Sequence, residues 1–312
     1  MKLIKAFLNL VRWPNLVFIA ITQLLFVYAI IHPIFSNAGR VANISGINLF
    51  LLIVSSVFIA AAGYIINDYF DLDIDLINKP DKLVVAKVIH RRWVIVWHLV
   101  LSIIGILIGF YIDLTTNVRF LGIFNLGCVL LLFVYSISLK KKLLAGNVLI
   151  SLLTAWVILV VTWSESSNLL TSAAIGSYTE KVTRITFLYA GFAFVISLIR
   201  EVVKDMEDIE GDRRYGCTTM PIAWGIIATK VFVAVWLVVL IAALSIVQFY
   251  VLQFKWWWSA AYCILFIIVP LLYVFRKLFP ATTSADYHKL SSWIKLVMFT
   301  GILSMIFFRL YL

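Results

Sequence analysis

Asn67, Asp68, Asp71 and Asp75 in the stretch NDYFDLDID, and Asp205, Asp208 and Asp212 in DMEDIEGD, are side chains of one chemical kind at helical spacings. On an α-helix Asn67, Asp71 and Asp75 share a face at i, i+4 and i+8 with Asp68 alongside, and Asp205, Asp208 and Asp212 do the same at i, i+3 and i+7. Carboxylates one turn apart repel, the more so where water is partly excluded, so each stripe calls for a counter-ion. Oxygen ligands without His or Cys favour Mg²⁺, which binds through one or two carboxylates and completes its octahedron with water and substrate phosphates. Two such stripes facing each other would hold two Mg²⁺ ions and clamp a diphosphate.

The neighbouring cations fit that chemistry. Arg200 and Lys204 precede Asp208 on its own helix face, and Lys140 is followed by Lys141 and Lys142. Together with a metal, Lys or Arg stabilises a diphosphate leaving group as its bond to carbon breaks. If that carbon is allylic, the resulting cation needs apolar walls and aromatic faces, and 15% of this chain is aromatic. Transfer to an alcohol oxygen also calls for a carboxylate to take the proton, for which Asp75 and Asp68 are the candidates. An acceptor bearing a phosphate would need a second cationic patch, and Lys79, Arg91 and Arg92 are available for it.

Both acidic clusters directly follow apolar runs. A carboxylate at the bilayer centre costs about 2.5 to 3.5 kcal/mol, so they belong in a cavity or at the membrane edge. The 312 residues are 63% hydrophobic and 13% charged, with a mean hydropathy of +1.05, which marks an integral membrane protein. Apolar runs near 15 to 35, 47 to 66, 93 to 112, 119 to 138, 145 to 163, 185 to 203, 229 to 250, 257 to 275 and 292 to 311 predict nine transmembrane helices. Strand alternation is absent, so the fold class is all-α and polytopic. A net charge of +11 would suggest nucleic acid in a soluble chain. Here most Lys and Arg fall on the N-terminal side of nine spans, which excludes that partner and predicts a cytoplasmic N-terminus and active-site segments, with the C-terminus opposite.

The first apolar run is too long for a signal-peptide core and is expected to be retained. Cys128, Cys217 and Cys263 read as small apolar fillers, and His32, His90, His98 and His288 form no pair at ligand spacing. Trp256, Trp257 and Trp258 read as an interfacial anchor on the outer side. No Pro-, Gly- or Ser-rich linker divides the chain, so residues 1–312 form a single domain. The repeated placement of acidic clusters suggests two related halves. A secondary transporter also uses acidic residues and internal repeats, but sets its charges near the midplane, whereas these fall at helix ends beside basic segments.

The paired motifs resemble those of the UbiA superfamily of intramembrane prenyltransferases. NDYFDLDID looks like its first signature, NDxxDxxxD, and DMEDIEGD like its second. The resemblance extends to RWPN (Arg12 to Asn15), YSISLK (Tyr135 to Lys140), GN at Gly146 and Asn147, and TTMPIAWG at 218 to 225. It implies nine helices around a central cavity under a cytoplasmic cap, with Mg²⁺ held by Asn67 and the six aspartates. The prenyl tail of a polyprenyl diphosphate would lie among the helices, with Asn15, Tyr135, Lys140, Arg200 and Lys204 around the substrate. INKPDK (Ile77 to Lys82) and REVVKDMEDIEGD look most like the branch that makes geranylgeranylglyceryl phosphate ethers, with chlorophyll synthase-like members next. Leu76 follows Asp75 where many members have Arg, so an aromatic acceptor such as a quinone precursor stays open as the alternative. Membrane lipids complete the expected partners.

Overall fold

A computed structural model describes residues 2–78, 84–85, 89–116, 118–165 and 177–311. Among them no β-strand forms, and eight helices are long and apolar enough to cross a membrane: Trp13–Asn37, Gly46–Phe70, Arg91–Thr116, Ala145–Ser164, Tyr178–Glu207, Gly225–Leu252, Trp257–Leu278 and Ser284–Tyr311. The run expected at 119 to 138 forms the shorter helix Leu121–Ile137. Its 17 residues rise about 25 Å, less than a hydrocarbon core of about 30 Å. The shortening has a local cause. Phe120 sits in the left-handed region at φ 69°, and both carboxylate oxygens of Asp113, on the preceding helix, accept from the backbone N–H groups of Leu121 and Gly122 at 2.9 Å, capping the new helix there.

Two of the long helices carry a widened π turn, Phe26–Ile31 and Ile264–Ile268, just ahead of Pro33 and Pro270. Proline has no N–H to give the carbonyl four residues back and its ring crowds that carbonyl; the wider turn absorbs the conflict without ending the helix. Elsewhere the helices meet through small and polar residues. Asn125 donates to Ser55 Oγ at 2.8 Å and to the Gly105 carbonyl at 3.1 Å, while Ser55 donates to the same carbonyl at 2.7 Å. Such closed polar sets tie helices together where hydrophobic contrast with lipid supplies no drive. The free thiols Cys217 and Cys263 are buried, as fillers should be.

At the end of the bundle away from the acidic motifs, Glu165 is fully buried and accepts from the backbone N–H groups of Asn43 (2.7 Å) and Ile44 (2.6 Å). The Asn43 side chain in turn donates to the carbonyls of Thr116 and Ser164, so one carboxylate organises the ends of three helices. Burial pushes the Glu165 carboxyl up to about 6, with the two backbone donors pulling the other way. The folded state therefore binds this proton more tightly than the unfolded chain, and stability is expected to fall by about 2 kcal/mol as pH rises from about 4.5 through 6. Glu165→Gln should flatten that slope, and Glu165→Ala should cost about 2 to 4 kcal/mol by orphaning two buried donors. Thermal unfolding in detergent across pH 4 to 8 measures both, and a parallel slope in Glu165→Gln counts against the assignment.

Candidate active site

Both acidic motifs sit where a long apolar helix breaks and a short one begins. Gly46–Phe70 ends at Asp71 (φ −87°, ψ −2°) and Leu72–Asn78 follows; Ser177–Glu207 ends at Asp208 (φ −98°, ψ 8°) and Ile209–Arg214 follows. The expected stripes on continuous helices are therefore bent at their central aspartates. The turn is preserved through each bend, because Asp75 N–H still reaches the Asp71 carbonyl (2.8 Å) and Asp212 N–H the Asp208 carbonyl (3.2 Å). The bends let the two short helices pack on each other, an arrangement set by tertiary contact rather than by local spacing.

Asn78 holds that contact. Its amide donates to the Asp208 carbonyl at 3.0 Å and accepts from Gly211 N–H at 2.9 Å, clasping the first motif to the second across 130 and 133 residues. A Cβ built on Gly211 would stand 2.5 to 2.7 Å from three atoms of the Asn78 amide, so this position needs glycine for close approach. Gly211→Ala is expected to break both bonds and cost about 2 kcal/mol, as is Asn78→Ala. Combining the two should cost little more than either alone. Denaturation of the single and double variants checks the coupling, and simple additivity would count against the clasp.

The inner residues are already partnered. Arg12 donates to Asp68 at 2.8 Å and lies over the Tyr64 ring, 5.1 Å from its centroid, while Asn15 donates to the Tyr64 hydroxyl at 3.3 Å. Lys140 pairs with Asp71 Oδ1 at 2.5 Å and reaches Asn67 Oδ1 at 3.4 Å; Asn67 donates to the other Asp71 oxygen at 2.6 Å. The turn bearing Lys140 is held from behind by Thr218, whose N–H and hydroxyl both donate to the Lys141 carbonyl. Asn147 donates to Asp205 at 2.8 Å. Asp75, Asp208 and Asp212 are engaged as well. Arg200 and Lys204, expected to serve the diphosphate from the helix face that leads to Asp208, pair here with Glu201 at 2.9 and 3.7 Å, since that carboxylate neighbours them on the same helix.

Beneath this cluster a cavity of about 390 Å³ runs between the helices. Arg12, Asn15, Asn67, Tyr135, Arg200 and Glu201 line its charged end. Trp256 lines it too, stacked on Tyr311 at a 4.8 Å centroid distance. Thus only Trp257 and Trp258, 62% and 76% exposed, suit the expected interfacial anchor. Arg91 and Arg92 stand exposed at the start of their helix and line no part of the cavity, and Lys79 lies outside the described residues.

Among the described residues no three Asp, Glu, His or Cys side chains converge as a ready metal cage. The seven-ligand clamp is thus not assembled in advance, because Arg12, Lys140 and Asn147 occupy Asp68, Asp71 and Asp205. The donors remain oxygens only, which suits a hard cation content with one or two carboxylates plus phosphate oxygens. Reading the sequence assigned no role to Arg12, Asn147, Asn78 or Glu201, although Arg12 and Asn147 stand in RWPN and GN, and Asn78 and Glu201 in INKPDK and REVVKDMEDIEGD.

The model of the UbiA prenyltransferase family matches residues 24–300. A digeranylgeranylglyceryl phosphate synthase of Methanosphaera stadtmanae is 30% identical over 253 residues, 80% of this chain and 83% of the relative. One from Methanothermobacter thermautotrophicus is 35% identical over 214 residues, 68% of each. A solved structure of a digeranylgeranylglyceryl phosphate synthase superposes over 98% of this chain and 99% of its own, with TM-score 0.61 and 23% identity. A UbiA homolog from Archaeoglobus fulgidus bound to DMAPP and Mg²⁺ does so over 96% and 98%, with TM-score 0.58 and 14% identity.

Proposed function

Since the chain belongs to the UbiA prenyltransferase family and is a multi-pass membrane prenyltransferase, we propose that it moves the prenyl group of a polyprenyl diphosphate, geranylgeranyl diphosphate in the first instance, onto the hydroxyl of a prenylglyceryl phosphate. The observation that carries this reading is the meeting of two acidic motifs, with Lys140 between Asn67 and Asp71, at the charged end of an apolar cavity. Mg²⁺ would be held by Asn67, Asp68, Asp71, Asp75, Asp205, Asp208 and Asp212 in subsets, and supplies charge neutralisation to the departing diphosphate. Lys140 donates to the same leaving group. Tyr135 and Asn15 border the place where the allylic carbon would lie, the cavity walls take the tail and exclude water, and Asp75 or Asp68 accepts the hydroxyl proton as the ether forms.

The short helices Leu72–Asn78 and Ile209–Arg214 are proposed as the cap over the site, on the cytoplasmic side, with Leu121–Ile137 as a ninth, shorter crossing and the two motif-bearing helices as counterparts in related halves. An aromatic acceptor is the competing reading, kept open because Leu76 follows Asp75 where many family members have Arg. Purified protein given labelled geranylgeranyl diphosphate, a prenylglyceryl phosphate and an aromatic acceptor separates them by product mass. Ether formation abolished by EDTA and restored by Mg²⁺ is expected; transfer to the aromatic compound alone replaces the acceptor, and no diphosphate release at all favours a carrier.

A further inference from the structure

We propose that Lys295, with Arg200, forms a second anion subsite that receives the phosphate of the acceptor, distinct from Lys140 and the acidic motifs that serve the diphosphate. The inference rests on the transfer to a phosphate-bearing acceptor argued above. Lys295 lies inside an apolar helix of spanning length, half-buried, and lines the charged end of the cavity. It forms no ion pair with a described carboxylate; its ammonium instead sits over the Phe18 ring, 5.3 Å from the centroid. Arg200, Lys204 and Arg12 are near enough to repel it. Arg12 answers to Asp68, and Lys204, which pairs with Glu201 and acts on Asp205 as well, lies outside the cavity lining, so on the cavity wall Arg200 and Lys295 share the single lining carboxylate of Glu201. Arg200 Nε is also buried without a hydrogen-bond partner.

A cation set in a partly dry wall beside other cations is unfavourable until an anion joins it. In the proposed transfer the diphosphate is served by Lys140, on the turn Leu139–Lys141, and by the acidic motifs at the ends of Gly46–Phe70 and Ser177–Glu207. What remains to be satisfied is one anionic head on a molecule whose body is apolar enough to enter the same cavity. A prenylglyceryl phosphate has that form, and its head anchored at Lys295 would hold its free hydroxyl within the charged end. This places the acceptor's cationic patch on the helices of Arg200 and Lys295 rather than at exposed Arg91 and Arg92.

The test is binding by purified, Mg²⁺-free protein of geranylgeranylglyceryl phosphate, of the same compound lacking its phosphate, and of phosphatidic acid. The wild type should hold the phosphate form roughly 10- to 100-fold tighter than the alcohol, as expected for charge-assisted hydrogen bonds. Lys295→Ala should erase most of that preference and Lys295→Arg retain it. In turnover, Lys295→Ala should raise KM for the phosphate acceptor in the same proportion while moving KM for the diphosphate less than twofold. Equal affinity for phosphate and alcohol in the wild type, or a matching rise in the diphosphate KM, overturns the subsite. Phosphatidic acid bound as tightly as the acceptor reassigns it to lipid headgroups and overturns it as an acceptor site. Ether formation by the wild type is scored separately: normal ether with no phosphate preference sinks only the subsite, and no ether despite a Lys295-dependent preference sinks only the transfer reading.

Discussion

Asp71→Asn is expected to lower kcat by about three orders of magnitude, close to 4 kcal/mol of transition-state stabilisation, without loss of fold. The substitution keeps the shape of the side chain and removes the charge that faces Lys140 on one oxygen and Asn67 on the other. Asp71 is the residue at which its helix bends, so the exchange acts on the reacting end of the cavity and not on a surface carboxylate. The exchange also takes the counter-ion from the largely buried Lys140, so the fold should survive with reduced stability, which thermal unfolding of the variant records. Asp208→Asn, at the matching bend, should behave alike. Initial rates of labelled prenyl transfer by a monodisperse variant check this. Near-wild-type turnover at the Mg²⁺ concentration that saturates the wild type would falsify the role of the bent motifs.

Lys140→Met should cost roughly 10²- to 10³-fold in kcat/KM, the usual effect of removing one donor to a developing oxyanion. Methionine retains length and apolar stem, so packing of the short turn at 139 to 141 against Thr218 should persist. Two explanations of a loss can be separated. If Lys140 only neutralises Asp71, raising Mg²⁺ restores the rate, whereas a donor to the leaving group is not replaced in that way. Unrestored loss in Lys140→Met with partial activity in Lys140→Arg is the expected pattern. Full rescue by Mg²⁺ reduces Lys140 to a counter-ion.

The apolar runs and both acidic motifs could be read directly because their signals are local: about twenty residues without charge, and carboxylates three or four apart. What escaped was set at a distance or by a rotamer. Arg12 meets Asp68 across 56 residues and Asn147 meets Asp205 across 58, and spacing along the chain carries no trace of either. The bends at Asp71 and Asp208 follow from packing between two short helices, and the turn of Arg200 towards Glu201 is a choice of side-chain conformation. The start of Leu121–Ile137 depends on a carboxylate eight residues earlier, so hydropathy alone lengthened that helix. Lys295 is different. A lysine inside an apolar run is costly unless it has work to do, and the sequence displayed it openly among the residues of the last span.

The Asn78 clasp joins one side chain to two backbone groups, so both bonds can open by rotation about a single side chain, with no helix unwinding. Two such bonds hold the clasp by about 2 kcal/mol, which leaves an unclasped minority of a few per cent at equilibrium while the two short helices stay packed. Under the proposed function, loosening of the clasp at the mouth of the site would then proceed at a rate that side-chain motion rather than helix melting sets.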